Sequence, residues 1–122
     1  METLKYSAED RTPYVFFDGD RGVLTMRGRC IPEDAPGFFS ELNELVDKYQ
    51  TDPQEILEAT FDLEYFNTAS AKELMRLFYK FKNFPSHVIW CHEKGDNDMI
   101  DVGKDFEDIL GDVPFTFQEV ER

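Results

Sequence analysis

Hydrophobic and polar positions change period several times along this chain, and each change marks an element. Residues 14–17 and 23–27 are two short β-rich runs separated by the Asp/Gly cluster "DGDRG", which predicts a hairpin. A Pro- and acid-rich stretch then leads into Phe38, Leu42, Leu45, Val46 and Tyr49, spaced by about 3.6 residues and therefore on one helical face. Residues 59–65 alternate: Ala59, Phe61, Leu63 and Tyr65 are expected on one side of a strand, and Thr60, Asp62 and Glu64 on the other. From about Ser70 the helical period returns, with Ala71, Leu74, Met75, Phe78 and Phe81 as an apolar stripe that ends before Pro85. "SHVIWCHE" then predicts a strand, "DNDMIDVGKDFEDIL" a helix with Met99, Val102, Phe106 and Ile109 inward, and "VPFTFQEV" a last strand.

The predicted order is ββαβαβαβ. Helices alternating with strands imply right-handed crossovers and a mixed, mostly parallel sheet. The wet side of residues 59–65 implies that the helices cover mainly one face. The expected fold is thus a two-layer α/β domain spanning residues 12–122, preceded by a flexible N-terminal tail at residues 1–11.

Composition removes several function classes. The chain has 122 residues, with 13 Lys plus Arg against 26 Asp plus Glu and a net charge of −13. That balance opposes nucleic acid and anionic membrane surfaces, both of which select cations, and leaves protein partners open. The N-terminus lacks the apolar core of a signal peptide, and no run of about eighteen apolar residues occurs, so a cytoplasmic protein is expected. Cys30 and Cys91 show no metal-ligand spacing and read as reduced core thiols.

The remaining chemistry is sparse, and no cofactor or metal is expected. "VFFDGDRGVL" resembles the nucleophile loop of haloacid dehalogenase phosphatases, in which Asp18 would attack phosphorus and Asp20 would act as acid, making a small Mg²⁺-dependent phosphohydrolase the alternative function. The family's usual Thr or Val two residues after the second aspartate is Gly22 here. The plain reading makes residues 18–22 a hairpin turn. The acidic run from Asp96 lacks an EF-hand ligand at Ile100 and the glycine that should follow it, so Asp96 or Asn97 is expected to cap a helix whose positive end Asp98 and Asp101 favour. His87 and His92, at odd spacing in a strand, point to opposite faces and cannot chelate one metal together.

The stretch "LEYFNTASAKELM" places hydroxyls at a strand-to-helix junction. Ser70 and Glu73 fit a capping box, in which the hydroxyl accepts from a backbone N–H and the carboxylate reaches back to the cap. Asn67 and Thr68 lie just before it. Thr68 reads either as a turn residue or cap, or as a phosphoryl acceptor whose added charge of about −1.5 to −2 the helix end would stabilise.

The ordered segments "RTPYVFFD", "MRGRCIPEDAPGFF", "YFNTASAKELM", "VIWCHEKGDNDMIDVGKDFEDI" and "PFTF" resemble the SiaC-type bacterial regulatory phosphoproteins across nearly the whole chain. The resemblance implies a relative of the STAS fold of anti-sigma-factor antagonists. It implies a non-catalytic signalling protein that a Ser/Thr protein kinase phosphorylates at the junction, on Thr68, and a PP2C-type phosphatase restores. The implied output is binding to an effector such as a diguanylate cyclase, hence cyclic di-GMP signalling and biofilm control. Glu33, Asp34, Asp96 and Asp98 are candidates for the same partner-binding surface, with solvated caps and loop charges as their plain reading. The chain departs from the family pattern at Cys30 and Ala69, where serines are common.

Overall fold

The computed structural model describes residues 3–122. Its elements run β1 (Thr3–Tyr6), β2 (Tyr14–Asp18), β3 (Val23–Cys30), α1 (Ala35–Thr51), β4 (Leu57–Phe66), α2 (Thr68–Phe81), β5 (Ser86–Glu93), α3 (Asn97–Leu110) and β6 (Phe115–Val120). One six-stranded sheet is ordered β1-β2-β3-β4-β5-β6. The β1–β2 and β2–β3 pairs are antiparallel, and β3–β4, β4–β5 and β5–β6 are parallel. The two-layer α/β arrangement that the periodicity implies is therefore present, with one strand added at its front.

That strand corrects the expectation of a flexible tail. Thr3–Tyr6 pair with Asp18 back to Val15, and Leu4 is buried in the core. Four residues carry too little alternation to register as a strand by themselves; the edge of β2 supplies the hydrogen bonds. Residues 1 and 2 of the expected tail lie outside the described residues.

Each parallel strand is followed by a helix that crosses to the next strand in the same direction, so right-handed connections stack α1, α2 and α3 on one face. Between the layers, Phe61 on β4 meets Phe78 on α2 with ring centroids 5.2 Å apart, and Phe78 meets Phe106 on α3 at 4.8 Å. Trp90 on β5 meets the same Phe106 at 5.4 Å. Edge-on and tilted contacts of this kind add about 0.5–1.5 kcal/mol per pair beyond area burial. On α1 the deep aromatic is Phe39, with Phe38 only half-buried against the core, a one-residue rotation from the expected stripe.

The hairpin turn is built as the composition suggests. Asp18 Oδ1 accepts from the Asp20 and Arg21 amides at 3.0 and 3.3 Å, an Asx-type turn. Gly22 closes it at φ +66°, and a Cβ there would meet the Ile56 carbonyl oxygen, so glycine is required on both counts. Cys30 and Cys91 are free and buried.

Candidate functional site

The topology collects most of the chemistry at one rim. Chain direction in β3, β4 and β5 is the same, so their C-terminal ends and the N-termini of the helices that follow them share one edge of the sheet, the usual location of ligand sites in such folds. Asp34, Asn67 and Asp96 are the N-caps of α1, α2 and α3. Strand order then sets the α2 entrance between two acidic caps.

At that central entrance Asn67 is tied down by three contacts. Its amide donates to the Cys30 carbonyl at 3.3 Å, its carbonyl accepts from the Ala71 amide at 2.9 Å, and its Oδ1 accepts from the Ser70 amide at 2.9 Å. The strand-to-helix turn is thus locked to β3, and Thr68 becomes the first helical residue, exposed to solvent together with Ala69. Helix geometry gives the amides at these positions no intrahelical acceptor, and the first turn carries no acidic side chain. A rigid, exposed hydroxyl thus stands at an unneutralised positive helix end, where a phosphate dianion is stabilised.

The expected capping box is not formed. Because Asn67 caps, α2 starts two residues earlier than predicted and Ser70 falls at the third helical position, on the inner face. Ser70 is fully buried, and Glu73 is 4% exposed. The Ser70 hydroxyl lies against the Cys30 thiol, lowering its pKa slightly against the larger upward push of burial, without a well-formed hydrogen bond of its own. Glu73 Oε1 is likewise buried without a partner, while Oε2 is 4.0 Å from Arg76. Sequence spacing identified the junction but put the cap three residues late: asparagine, with a carbonyl oxygen at the correct reach, outcompeted serine. Burial also separates the two hydroxyls: Thr68 is exposed and Ser70 is not.

The four acidic candidates divide. Asp34 spends Oδ1 on the Gly37 amide at 3.1 Å, and Asp96 spends Oδ1 on the Met99 amide at 3.2 Å, so both have structural duties. Glu33 and Asp98 are exposed. Asp18, the nucleophile of the phosphohydrolase alternative, sits at the end of β2 with its carboxylate holding the hairpin turn, and among the described residues no cluster of metal-ligating side chains accompanies it.

One feature of the rim departs from the alternation. The β3–β4 register pairs Gly28 with Leu63 but Arg29 with Tyr65, leaving Glu64 as an extra residue. This β-bulge reverses the sides: Phe66 takes the inward place, 6.1 Å from Trp90 and 6.3 Å from Phe106, and Tyr65, expected in the core, is 57% exposed. The adjacent aromatics Tyr65 and Phe66 were the available signal, because two neighbours in a strand cannot both face the core.

Comparisons with known proteins agree with this fold. A family model described as SiaC family regulatory phosphoprotein matches residues 6–120. An uncharacterized protein of Pseudomonas aeruginosa (strain UCBPP-PA14) is 25% identical over 123 residues, covering 97% of each chain. The crystal structure of apo-SiaC from Pseudomonas aeruginosa superposes with a TM-score of 0.87 at 24% identity, over 97% of this chain and 99% of that one. The crystal structure of the diguanylate cyclase SiaD in complex with its activator SiaC, from the same organism, gives 0.89 at 24% identity, over 96% and 99% of the two chains. At that identity the structures show a shared fold.

Proposed function

The chain belongs to the SiaC family of regulatory phosphoproteins, and on that premise we propose that it is a non-catalytic switch whose phosphorylation on Thr68 by a Ser/Thr protein kinase, and dephosphorylation by a PP2C-type phosphatase, governs its choice of protein partner. The observation that carries this reading is the exposed Thr68 side chain at the first position of α2, beside a fully buried Ser70. The proposed effector is a diguanylate cyclase, by similarity to the SiaC protein of Pseudomonas aeruginosa, which is bound as the activator of SiaD.

The switch needs only local electrostatics. In the unmodified state the small, neutral Thr68 lets a partner close over the helix end. A dianion there must be desolvated without a matching cation, and a loss of about 3 kcal/mol already weakens binding roughly a hundredfold. The free positive end of α2 meanwhile stabilises the phosphate in the unbound protein, which deepens the preference for dissociation. Glu33 and Asp98, exposed on the flanking helix entrances, are proposed partner contacts, whereas Asp34 and Asp96 serve chiefly as caps.

The test is incubation with the kinase and ATP followed by mass spectrometry. A single phosphate on Thr68, absent in Thr68→Ala, is expected; equal labelling of Thr68→Ala would overturn the assignment. No helix among the described residues is long and apolar enough to cross a membrane.

A further inference from the structure

The bulge at Glu64 creates a surface that neither the hydrophobic pattern nor the phosphorylation reading accounts for. Among the described residues, the large apolar side chains left exposed are Ile56, Tyr65 and Tyr79, and Tyr65 is the one at the functional rim. It forms one wall of a cleft of about 270 Å³ together with Phe66, Met99 and Val102. Glu64, Asp96 and Asp98 stand around the same cleft.

We propose that this cleft is a docking site for a cationic side chain, arginine or lysine, presented by a protein partner, with Tyr65 as its anchor. The proposal rests on the reading of this rim as the partner-binding edge and adds the chemistry of what binds. Three features select the occupant. The volume falls below the roughly 300–1,000 Å³ usual for small-molecule pockets, which favours a single long side chain. The apolar walls suit the aliphatic stem of Lys or Arg, and an exposed tyrosine ring beside carboxylates suits the charged head. The carboxylates lose solvation when covered, and a cation compensates that loss most fully; an acidic or wholly apolar segment does not. Tyrosine is also a residue type that dominates interface energetics when a partner buries it.

A phosphate on Thr68 adds charge of the sign already present, so it does not repel this cationic group. Discrimination against the phosphorylated form therefore arises at the Thr68 contact itself and not at the cleft.

The experiment is an NMR titration of the isotopically labelled full chain with two synthetic helical peptides of identical apolar residues, one bearing arginines and the other glutamates. The arginine peptide is expected to shift the amides of Tyr65, Asp98 and Val102 saturably, and the glutamate peptide to leave them in place. Tyr65→Ala and Asp98→Lys should each weaken binding about tenfold, while Asp108→Lys, about 15 Å further along α3, should weaken it less than about twofold. Spectra unchanged away from position 65 show that Tyr65→Ala remains folded, as its exposure predicts. Shifts spread over the whole acidic surface, an equal effect of Asp108→Lys, or equal binding of the glutamate peptide would each overturn the proposal. Thr68→Glu should not weaken the arginine-peptide affinity, because the added charge attracts a cation, so failure here and failure of the kinase reaction are read separately.

Discussion

The indole N–H of Trp90 donates to the Met99 carbonyl at 2.9 Å, a buried bond that ties the centre of β5 to the first turn of α3. Gly103 lies one turn further along α3, where a Cβ would come within 2.7 Å of Trp90 Nε1 and 2.8 Å of Phe117. The glycine thus gives the indole room to reach its acceptor. The first turn of α3 carries Asp98 to the rim beside the capping Asp96, so a packing detail fixes the position of a candidate partner contact.

Gly103→Ala should therefore destabilise the protein by about 1–3 kcal/mol, although alanine is the better helix former, because the added methyl has no space. Urea unfolding followed by Trp90 fluorescence measures this. An increase in stability would show that α3 shifts freely on the sheet.

Asn67→Ala should cost about 0.5–2 kcal/mol, the usual loss for an N-cap. Thr68→Ala, at an exposed position next to it, should stay within about 0.5 kcal/mol of the parent. Thermal unfolding of the two variants separates a residue that holds the junction from one that the junction displays.

Glu73→Met should leave stability unchanged or raise it by about 1–4 kcal/mol, since it replaces a buried carboxylate having one unpartnered oxygen with an apolar side chain of similar volume. A loss of several kcal/mol on chemical denaturation would instead mean that the carboxylate is satisfied in solution.

Cys91 lies on the open face of the sheet, yet is only 3% exposed. Near it Arg122 bridges two strands, its Nη1 donating to Glu93 at 2.9 Å and its Nε to Asp62 at 3.1 Å. Burial first and the Asp62 charge second push the thiol up to about 11 from its ordinary value of 9.0, against a smaller opposing pull from Arg122. The folded state holds this proton more tightly than the unfolded chain does. Its contribution to stability is therefore complete below about pH 9 and is lost as pH rises towards 11. Chemical unfolding across that range should show a fall that Cys91→Ala reduces.

The order of elements and the faces of most of them were legible in the sequence, because burial on one side of a strand or helix imposes a period of two or about 3.6 on the residues themselves. Phe61, Leu63, Leu74, Phe78 and Phe81 all lie where their spacing placed them. The junction at residues 67–70 was legible for the same local reason: a short polar side chain before a helical period marks a cap.

What only the tertiary structure decided depends on partners distant in the chain. Thr3–Tyr6 became a strand because β2 offered an edge, and Asn67 rather than Ser70 became the cap because its amide and carbonyl are held between β3 and α2. Tyr65 turned outward because the β3–β4 register slips by one residue at Glu64, and a slip of one exchanges the two faces of a strand. Local pattern constrains which residues are apolar; register between strands, set by contacts far apart in sequence, decides which side each one faces and so which side chains a partner meets.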